Sequence, residues 1–577
     1  MTQLTYQELN KLAKKQPKDG KPYRLAILGD CATQHLATAI KGTAYNEDLL
    51  FQIYDSDYNL IDAQIVDTES ELYRFHPDFI LIDMCCEKLY DVFCSVELNQ
   101  REQFAETVYR KIEAYWRLLG QNIKANILQF TFTYKNDFTF GNFALKTRQS
   151  FPSQLHKLNE LLNNGSRLFK NVYLVDLNAI QTSMGDAFFD PKLYYIAKVP
   201  YSMFALPRIA QSVLDVIKAI NGQIKKCVVL DLDNTLWGGV IGDDGLGGIE
   251  IGDLGQGHAF SSFQLWLKEL KNRGILLTVC SKNNEDTAKE PFLKHPDMIL
   301  KLSDFSLFVA NWEDKATNIK HIQQTLNIGM DSMVFIDDNA FERNLVRSII
   351  PEIVVPELPN DPALYLDFLQ KLNLFETASF SEEDIKRTEQ YRAEAGRVKL
   401  QQQFATFDAY LQSLSMEATA APFDPFHYAR ISQLTQRSNQ FNLRTIRYTE
   451  SEISSIAQDD RYITEYFTLK DKFGDHGLIS VVILEKQADS TLFVNEWLMS
   501  CRVLKRGMEE FIINKLIEVA RENGYTKIIG EYLPTPKNAM VAEIYAKLGF
   551  EPKGNGLFEV QVSEFKENNT FIKEFAK

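Results

Sequence analysis

The chain lacks most of the features that would place it outside the reduced interior of a cell. It has no run approaching the ~20 apolar residues needed to span a bilayer. Its first twenty residues, MTQLTYQELNKLAKKQPKDG, are polar and carry no apolar signal core. The seven cysteines are scattered. Only Cys85 and Cys86 are close, and adjacent cysteines suit neither a disulfide framework nor a zinc site. There is no excess of basic residues: 63 Lys and Arg stand against 77 Asp and Glu, a net charge of −14. That excludes the chain as a whole from binding nucleic acid or an anionic membrane. No low-complexity tract or fixed-period repeat occurs. These absences predict a cytoplasmic protein, and the 577 residues predict three or four domains of ordinary globular composition.

The most informative stretch is Cys227-Val228-Val229-Leu230-Asp231-Leu232-Asp233-Asn234-Thr235. An apolar run of buried-strand length ends in two aspartates one residue apart. Past a strand's carboxyl end, that spacing lets one carboxylate attack while the other handles a proton. Three later segments supply complementary groups. Ile275–Cys280 is an apolar strand closed by Ser281, whose hydroxyl can donate to a phosphoryl oxygen. Lys315 lies on the first turn of a helix opened by Asn311-Trp312-Glu313-Asp314. Met333–Ile336 is another apolar run, closed by Asp337-Asp338. Each motif alone also reads as a helix cap, a solvated lysine or an acidic turn. In sequence they predict groups gathered at one edge of an open α/β sheet, where ligands bind.

On either side lie two further units. Residues 1–220 alternate predicted strands (Tyr23–Leu28, ending in a turn at Gly29-Asp30, then Asp62–Val66, Phe79–Met84, Asn126–Phe132, Val172–Asp176) with helices, the pattern of a doubly wound parallel sheet. Residues 366–420 read as a charged helical linker. Residues 421–577 return to strands, with Leu498-Met499-Ser500-Cys501-Arg502-Val503-Leu504-Lys505-Arg506-Gly507 running into a helix. An Arg/Gly loop at a helix N-terminus can hold a pyrophosphate. Asn538 and Tyr545 precede Leu548-Gly549-Phe550.

The series Asp-x-Asp-x-Thr, Ser281, Lys315, Asp337-Asp338 resembles the haloacid dehalogenase (HAD) superfamily. The resemblance implies Mg2+ held by the Asp231 and Asp337 carboxylates and the Asp233 backbone carbonyl, with Asp338 a possible helper. Asp231 is then the nucleophile that forms an aspartyl-phosphate, Asp233 the acid and base, and Ser281 and Lys315 the phosphate-binding groups. Residues 221–365 leave no room for a large cap between the first two motifs, so an open site is expected. Gly29-Asp30-Cys31 resembles the opening block of SGNH hydrolases with Cys31 in the serine position, where a thiol at a helix N-terminus is expected to have a lowered pKa. Leu193, in Asp190-Pro191-Lys192-Leu193, stands where that family needs a histidine; His35 is the substitute. The C-terminal pattern resembles the GNAT acyltransferases. It implies Arg502, Lys505, Arg506, Gly507 and Asn538 as groups that bind coenzyme A or a phosphopantetheine arm, and Tyr545 as the acid that protonates the departing thiolate. Glu509 departs from that pattern, because a carboxylate disfavours pyrophosphate.

Taken together, DLDNTLWGGVIGDDG, CSKNN, FIDDNAFERN and MSCRV resemble the FkbH family, HAD subfamily IIIC. The resemblance implies an α/β chain of three domains: SGNH-like (1–220), cap-poor HAD (221–365) and, after the linker, GNAT-like α+β (421–577). The implied function is a phosphatase coupled to transfer of an acyl group from a phosphorylated donor such as 1,3-bisphosphoglycerate. The group passes to an acyl carrier protein through an enzyme thiol, Cys501 or Cys31. Two other readings stand beside it: a HAD phosphatase whose flanking units shape access, and a docking protein with vestigial sites.

Overall fold

The computed structural model describes residues 4–15, 20–401 and 403–575. The chain forms two compact units, Met1–Lys218 and Ala219–Lys577.

The first unit is built on five parallel strands: β1 (Tyr23–Gly29), β2 (Phe51–Asp55), β3 (Phe79–Asp83), β4 (Asn126–Phe130) and β5 (Val172–Val175), in the order β2-β1-β3-β4-β5. The inner strands are apolar on both faces, as helices covering both sides of a parallel sheet demand. The expected strand at Asp62–Val66 is instead a helix, Ile61–Val66, with Ile61 and Ile65 buried four residues apart. The second strand lies earlier, at Phe51–Asp55. It sits at the edge of the sheet, and of its five residues only Phe51 is buried, so it carries no continuous apolar run.

The second unit holds two sheets. One has four parallel strands, β6 (Cys227–Leu230), β7 (Leu276–Ser281), β8 (Phe305–Ala310) and β9 (Met333–Ile336), in the order β8-β7-β6-β9. The other is mixed: β10 (Glu417–Ala421), β11 (Phe441–Asn442), β12 (Tyr462–Asp471), β13 (Gly474–Gln487), β14 (Thr491–Met499), β15 (Lys527–Glu531), β16 (Glu551–Gly554), β17 (Leu557–Gln561) and β18 (Lys573–Glu574). Its long strands are antiparallel, but β14 and β15 run parallel, joined by the helix Met508–Glu522. The architecture is mixed α/β throughout.

Residues expected to be a linker are built into both of these cores. The helix Arg387–Gln401 packs along β8 and β7 and buries Tyr391 in the apolar cluster on that face of the four-stranded sheet. Six residues later, Arg397 forms a buried ion pair with Asp471 at the end of β12, at 2.7 Å. The segment then enters the mixed sheet as β10. No described helix is long and apolar enough to cross a membrane.

Candidate active site

Strands β6 and β9 are neighbours, and their apolar runs stop in register at Leu230 and Ile336. Asp231 and Asp337 therefore leave the sheet side by side. A carboxylate oxygen from each of Asp231, Asp337 and Asp338 lies within 4.8 Å of the others. The helix Lys315–Leu326, capped by Asp314, sends its first residue back across the sheet edge. Lys315 Nζ sits 2.9 Å from Asp231 Oδ2 and 2.5 Å from Asp337 Oδ2. Burial disfavours the Lys315 charge, but the Asp231 and Asp337 carboxylates outweigh burial and hold its pKa above the ordinary lysine range. Burial, then the Asp231 charge, pushes Asp337 up to about 7.

Asp233 is held apart from this trio. Its Oδ1 accepts from Trp237 Nε1 and from the Ile241 backbone, both at 3.0 Å, and its Oδ2 accepts from Asn283 Nδ2 at 3.2 Å. Its pKa is raised, chiefly by burial, so this carboxyl holds a proton more readily than an exposed one. Asn234 enables the turn: its φ of 53° is left-handed, and its side chain caps Gly239 N at 2.9 Å. Thr235 Oγ1 accepts from Asp338 N at 3.2 Å, and Arg343 holds the Asp337 carbonyl at 2.9 Å. Ser281 closes β7, and its carbonyl takes Asn311 N at 3.2 Å. Asn234, Glu250, Gln256, Asp338, Asn360 and Tyr365 are among the groups lining a polar cavity of about 420 Å³ beside the carboxylates.

The trio fits a hard divalent cation. All donors are carboxylate oxygens, and one ammonium among three carboxylates leaves an excess of two negative charges. The Asp233 carboxylate belongs to the other cluster, which leaves only its backbone carbonyl for that role.

The residues expected to bind coenzyme A are arranged differently from the expectation. Lys505 and Gly507 adopt the left-handed backbone of a tight loop, at φ 61° and 79°. Arg506, only 4% exposed, turns inward: Nη1 lies 3.0 Å from His476 Nε2 and 3.4 Å from Asp471, and Nη2 donates to the Arg502 carbonyl at 2.7 Å. Arg502 donates from Nε to Ser500 Oγ at 3.2 Å. The Glu509 carboxylate is buried at the start of the helix and accepts from Lys505 N at 3.4 Å, within the loop meant for an anion. Burial raises its pKa to about 7. Asn538 is fully buried, donating to the Asn442 and Leu533 carbonyls at 2.9 and 3.0 Å and accepting from Thr535 N at 2.7 Å. Its role here is to pin a loop. Tyr545 is 1% exposed, packed on Trp497, Phe550 and Phe558, and approaches so closely that a Cβ at Gly530 would lie 2.2 Å from its ring. A phenol in that position has no route to a thiolate in solvent. Cys501 is part-exposed, and its carbonyl accepts from Asn327 Nδ2 at 2.6 Å.

Cys31 also departs from the expectation. The helix that follows starts at Gln34 with Thr33 as its cap, so the thiol lies before the N-terminus. It is 2% exposed, and its pKa is pushed up, first by a hydrogen bond with Cys85 and then by burial and the Asp83 charge. His35 is 2.6 Å from Tyr6 Oη, and Asp190 caps the helix Pro191–Ala197. The two are committed elsewhere, so no triad forms around Cys31.

Among solved structures, the N-terminal part of the protein BF1531 from Bacteroides fragilis, containing a phosphatase domain complexed with Mg, is 45% identical to this chain. The match covers 65% of this chain and 100% of that one, with a TM-score of 0.63. This chain belongs to the same family as BF1531. Residues 24–218 match the model described as FkbH, N-terminal domain. Shorter similarities cover 26% of the chain: to the Escherichia coli ribosomal-protein-S18-alanine N-acetyltransferase (16% identity, 98% of that chain, TM-score 0.20) and to a Vibrio cholerae spermidine N-acetyltransferase (15%, 97%, 0.21). A search of curated proteins gave no match.

Within the Asp231 site, sequence reasoning missed the residues that orient Asp233. The signals were present: Trp237 is four residues after Asp233, and Asn283 is two after Ser281.

Proposed function

We propose that the chain is a magnesium-dependent phosphatase of the HAD type, coupled in the FkbH manner to transfer of an acyl group. The observation that carries the reading is Lys315 bridging Asp231 and Asp337 while Asp233 is held aside by Trp237, Ile241 and Asn283. Asp231 and Asp337, with Asp338, would hold the ion, which when bound supplies Lewis-acid polarisation of a phosphoryl oxygen. Lys315 offsets the charge of an incoming phosphate. The Asp231 carboxylate attacks phosphorus, and the bond to the leaving oxygen breaks as Asp233 gives that oxygen its proton. Asp233, now ionised, takes a proton from water, which cleaves the aspartyl-phosphate and regenerates Asp231.

Of the two thiols able to accept an acyl group, part-exposed Cys501 is favoured over buried Cys31. The acyl donor is a phosphorylated compound such as 1,3-bisphosphoglycerate, and the acceptor an acyl carrier protein. A second reading, a phosphatase whose flanking units only shape access, is favoured by Glu509 inside the anion loop and by the inward turn of Arg506. The deciding experiment is incubation of the full chain with acyl-phosphate donor and carrier protein, followed by intact mass. A loaded carrier, together with acyl label on Cys501, supports transfer; phosphate release with neither product leaves the plain phosphatase.

A further inference from the structure

Two cysteines that are far apart in sequence, Cys31 and Cys85, meet in space. Strands β1 and β3 are adjacent in the middle of the first sheet, with Gly29 opposite Asp83. Asp30 N donates to the Asp83 carbonyl at 3.1 Å, so the two chains leave the sheet together. Two residues on along β3, Cys85 arrives beside Cys31. One donor atom from each of Asp30, Cys31 and Cys85 lies within 4.8 Å of the other two. Both thiols are buried, and Asp30 is 9% exposed. They stand at the carboxyl end of a doubly wound sheet, where such sheets bind ligands.

We propose that Asp30, Cys31 and Cys85 form a three-ligand site for a thiophilic divalent cation, zinc or a close analogue. Tetrahedral zinc with bonds of about 2.0–2.3 Å places its ligand atoms roughly 3.3–3.8 Å apart, so a small contraction closes the site. The surroundings fix one ligand already. Asp30 Oδ1 accepts from Cys85 N at 2.8 Å, the kind of outer contact that orients a metal-binding carboxylate. Asp83 Oδ2 lies 3.5 Å from Cys31 Sγ, while Asp83 Oδ1 is held by Tyr201 Oη at 2.7 Å.

Binding breaks two S–H bonds, sends two protons to solvent, and forms two metal–sulfur bonds and one metal–oxygen bond. Two thiolates and one carboxylate carry −3 and the cation +2. Lys88, whose Nζ is 3.4 Å from the Asp30 carbonyl, adds +1 on one side of the site, and the Asp83 carboxyl adjoins Cys31 on the other. The set has three protein ligands, the number that leaves one position for water or a ligand. Cys85 also lines a cavity of about 290 Å³ together with Thr131, Tyr134, Lys135 and Tyr201. The donor set is chemically distinct from the all-oxygen trio at Asp231, so the two sites select different cations.

The test uses the full chain, reduced, stripped with chelator and supplied with excess Mg2+ to fill the oxygen site. Co2+ is then titrated in, and thiolate-to-cobalt charge-transfer absorption is read. The expected result is a band saturating at one equivalent, retained in Cys94→Ser and Cys501→Ser and lost in Cys31→Ser and Cys85→Ser. No band in the wild-type chain, or a band that survives both of the latter substitutions, overturns the proposal. Zinc X-ray absorption on the wild-type chain needs no variant. Two sulfur neighbours per bound ion support the site, and a shell of oxygen and nitrogen alone overturns it.

Discussion

Asn327 donates its side-chain amide to the Cys501 carbonyl at 2.6 Å, and it does so from the far end of the helix that Lys315 begins. Twelve residues at 1.5 Å each put about 18 Å between the two ends. Lys226 gives the same answer, since it precedes β6 whereas Asp231 follows it; burial, opposed by the neighbouring Cys501 and aided by the Arg387 charge, lowers its pKa to about 8. The phosphatase chemistry and the favoured acyl thiol are on opposite edges of one sheet. Cys501→Ser is therefore expected to leave phosphate release from an aryl phosphate within about two-fold of wild type and to abolish carrier loading. Parallel loss of both activities in a folded variant would show that the two sites are not separate.

Asp231→Asn is expected to abolish phosphate release. Lys315→Met is expected to lower kcat by about 10²–10³-fold, the usual cost of one electrostatic donor to a transition state. The same change leaves buried carboxylates unpaired, which costs about 3–5 kcal/mol. Thermal melts with and without Mg2+ check this: the cation should restore part of the lost stability of Lys315→Met.

Asn283→Ala and Trp237→Phe each remove one donor from Asp233 and leave the Asp231 trio intact. The expected outcome is a 10–100-fold fall in kcat with KM little changed, because alignment of the proton carrier is lost and phosphate binding is not. Steady-state kinetics on a small phosphate ester provide the check. A rise in KM at constant kcat would place these residues in substrate binding instead.

His476 makes the second unit acid-sensitive. Burial first, and then the charges of Arg506 and Arg397 acting against the help of Asp471, hold its pKa down to about 4. A histidine depressed below its unfolded value near 6.5 contributes stability in full above that pH and loses it as pH falls toward 4. The contribution is on the order of 3 kcal/mol. Urea unfolding at pH 7.5 and 4.5 should show this loss in wild type and a much smaller one in His476→Gln.

Glu509 is the residue that most directly opposes coenzyme A. Glu509→Ser removes the carboxylate from the anion loop and exposes the backbone amides at the start of a 15-residue helix. Calorimetric titration of coenzyme A should show binding in the variant at least ten-fold tighter than in wild type. Equal affinities would mean that Arg506, committed to His476, Asp471 and Arg502, sets the limit.

The Asp231 centre was legible in the sequence because each of its strands is a fully apolar run that stops at a charged residue. The spacing of Lys315 from its helix start gave the rest. What stayed hidden depends on pairing across the sheet. Cys31 and Cys85 meet only because β1 and β3 are neighbours in register, which no local pattern records. Asp62–Val66 was misread because five residues of mixed polarity fit either period. The edge strand Phe51–Asp55, which replaced it, is too polar to announce itself. Arg506 lies on the loop expected between strand and helix, and Asn538 had no element assigned to it. Their side chains point inward because Asp471, His476 and the Asn442 carbonyl come from distant strands to meet them.

The helix Arg387–Gln401 is fixed at two points, Tyr391 under the four-stranded sheet and Arg397 on Asp471. Each residue added to a helix turns everything beyond it by about 100°. One inserted residue between these anchors would swing Arg397 away from Asp471, so this stretch tolerates changes of composition but not of length. Relatives that keep both anchors should accordingly show no insertions or deletions across residues 391–397, although the segment's charged composition resembles that of a spacer.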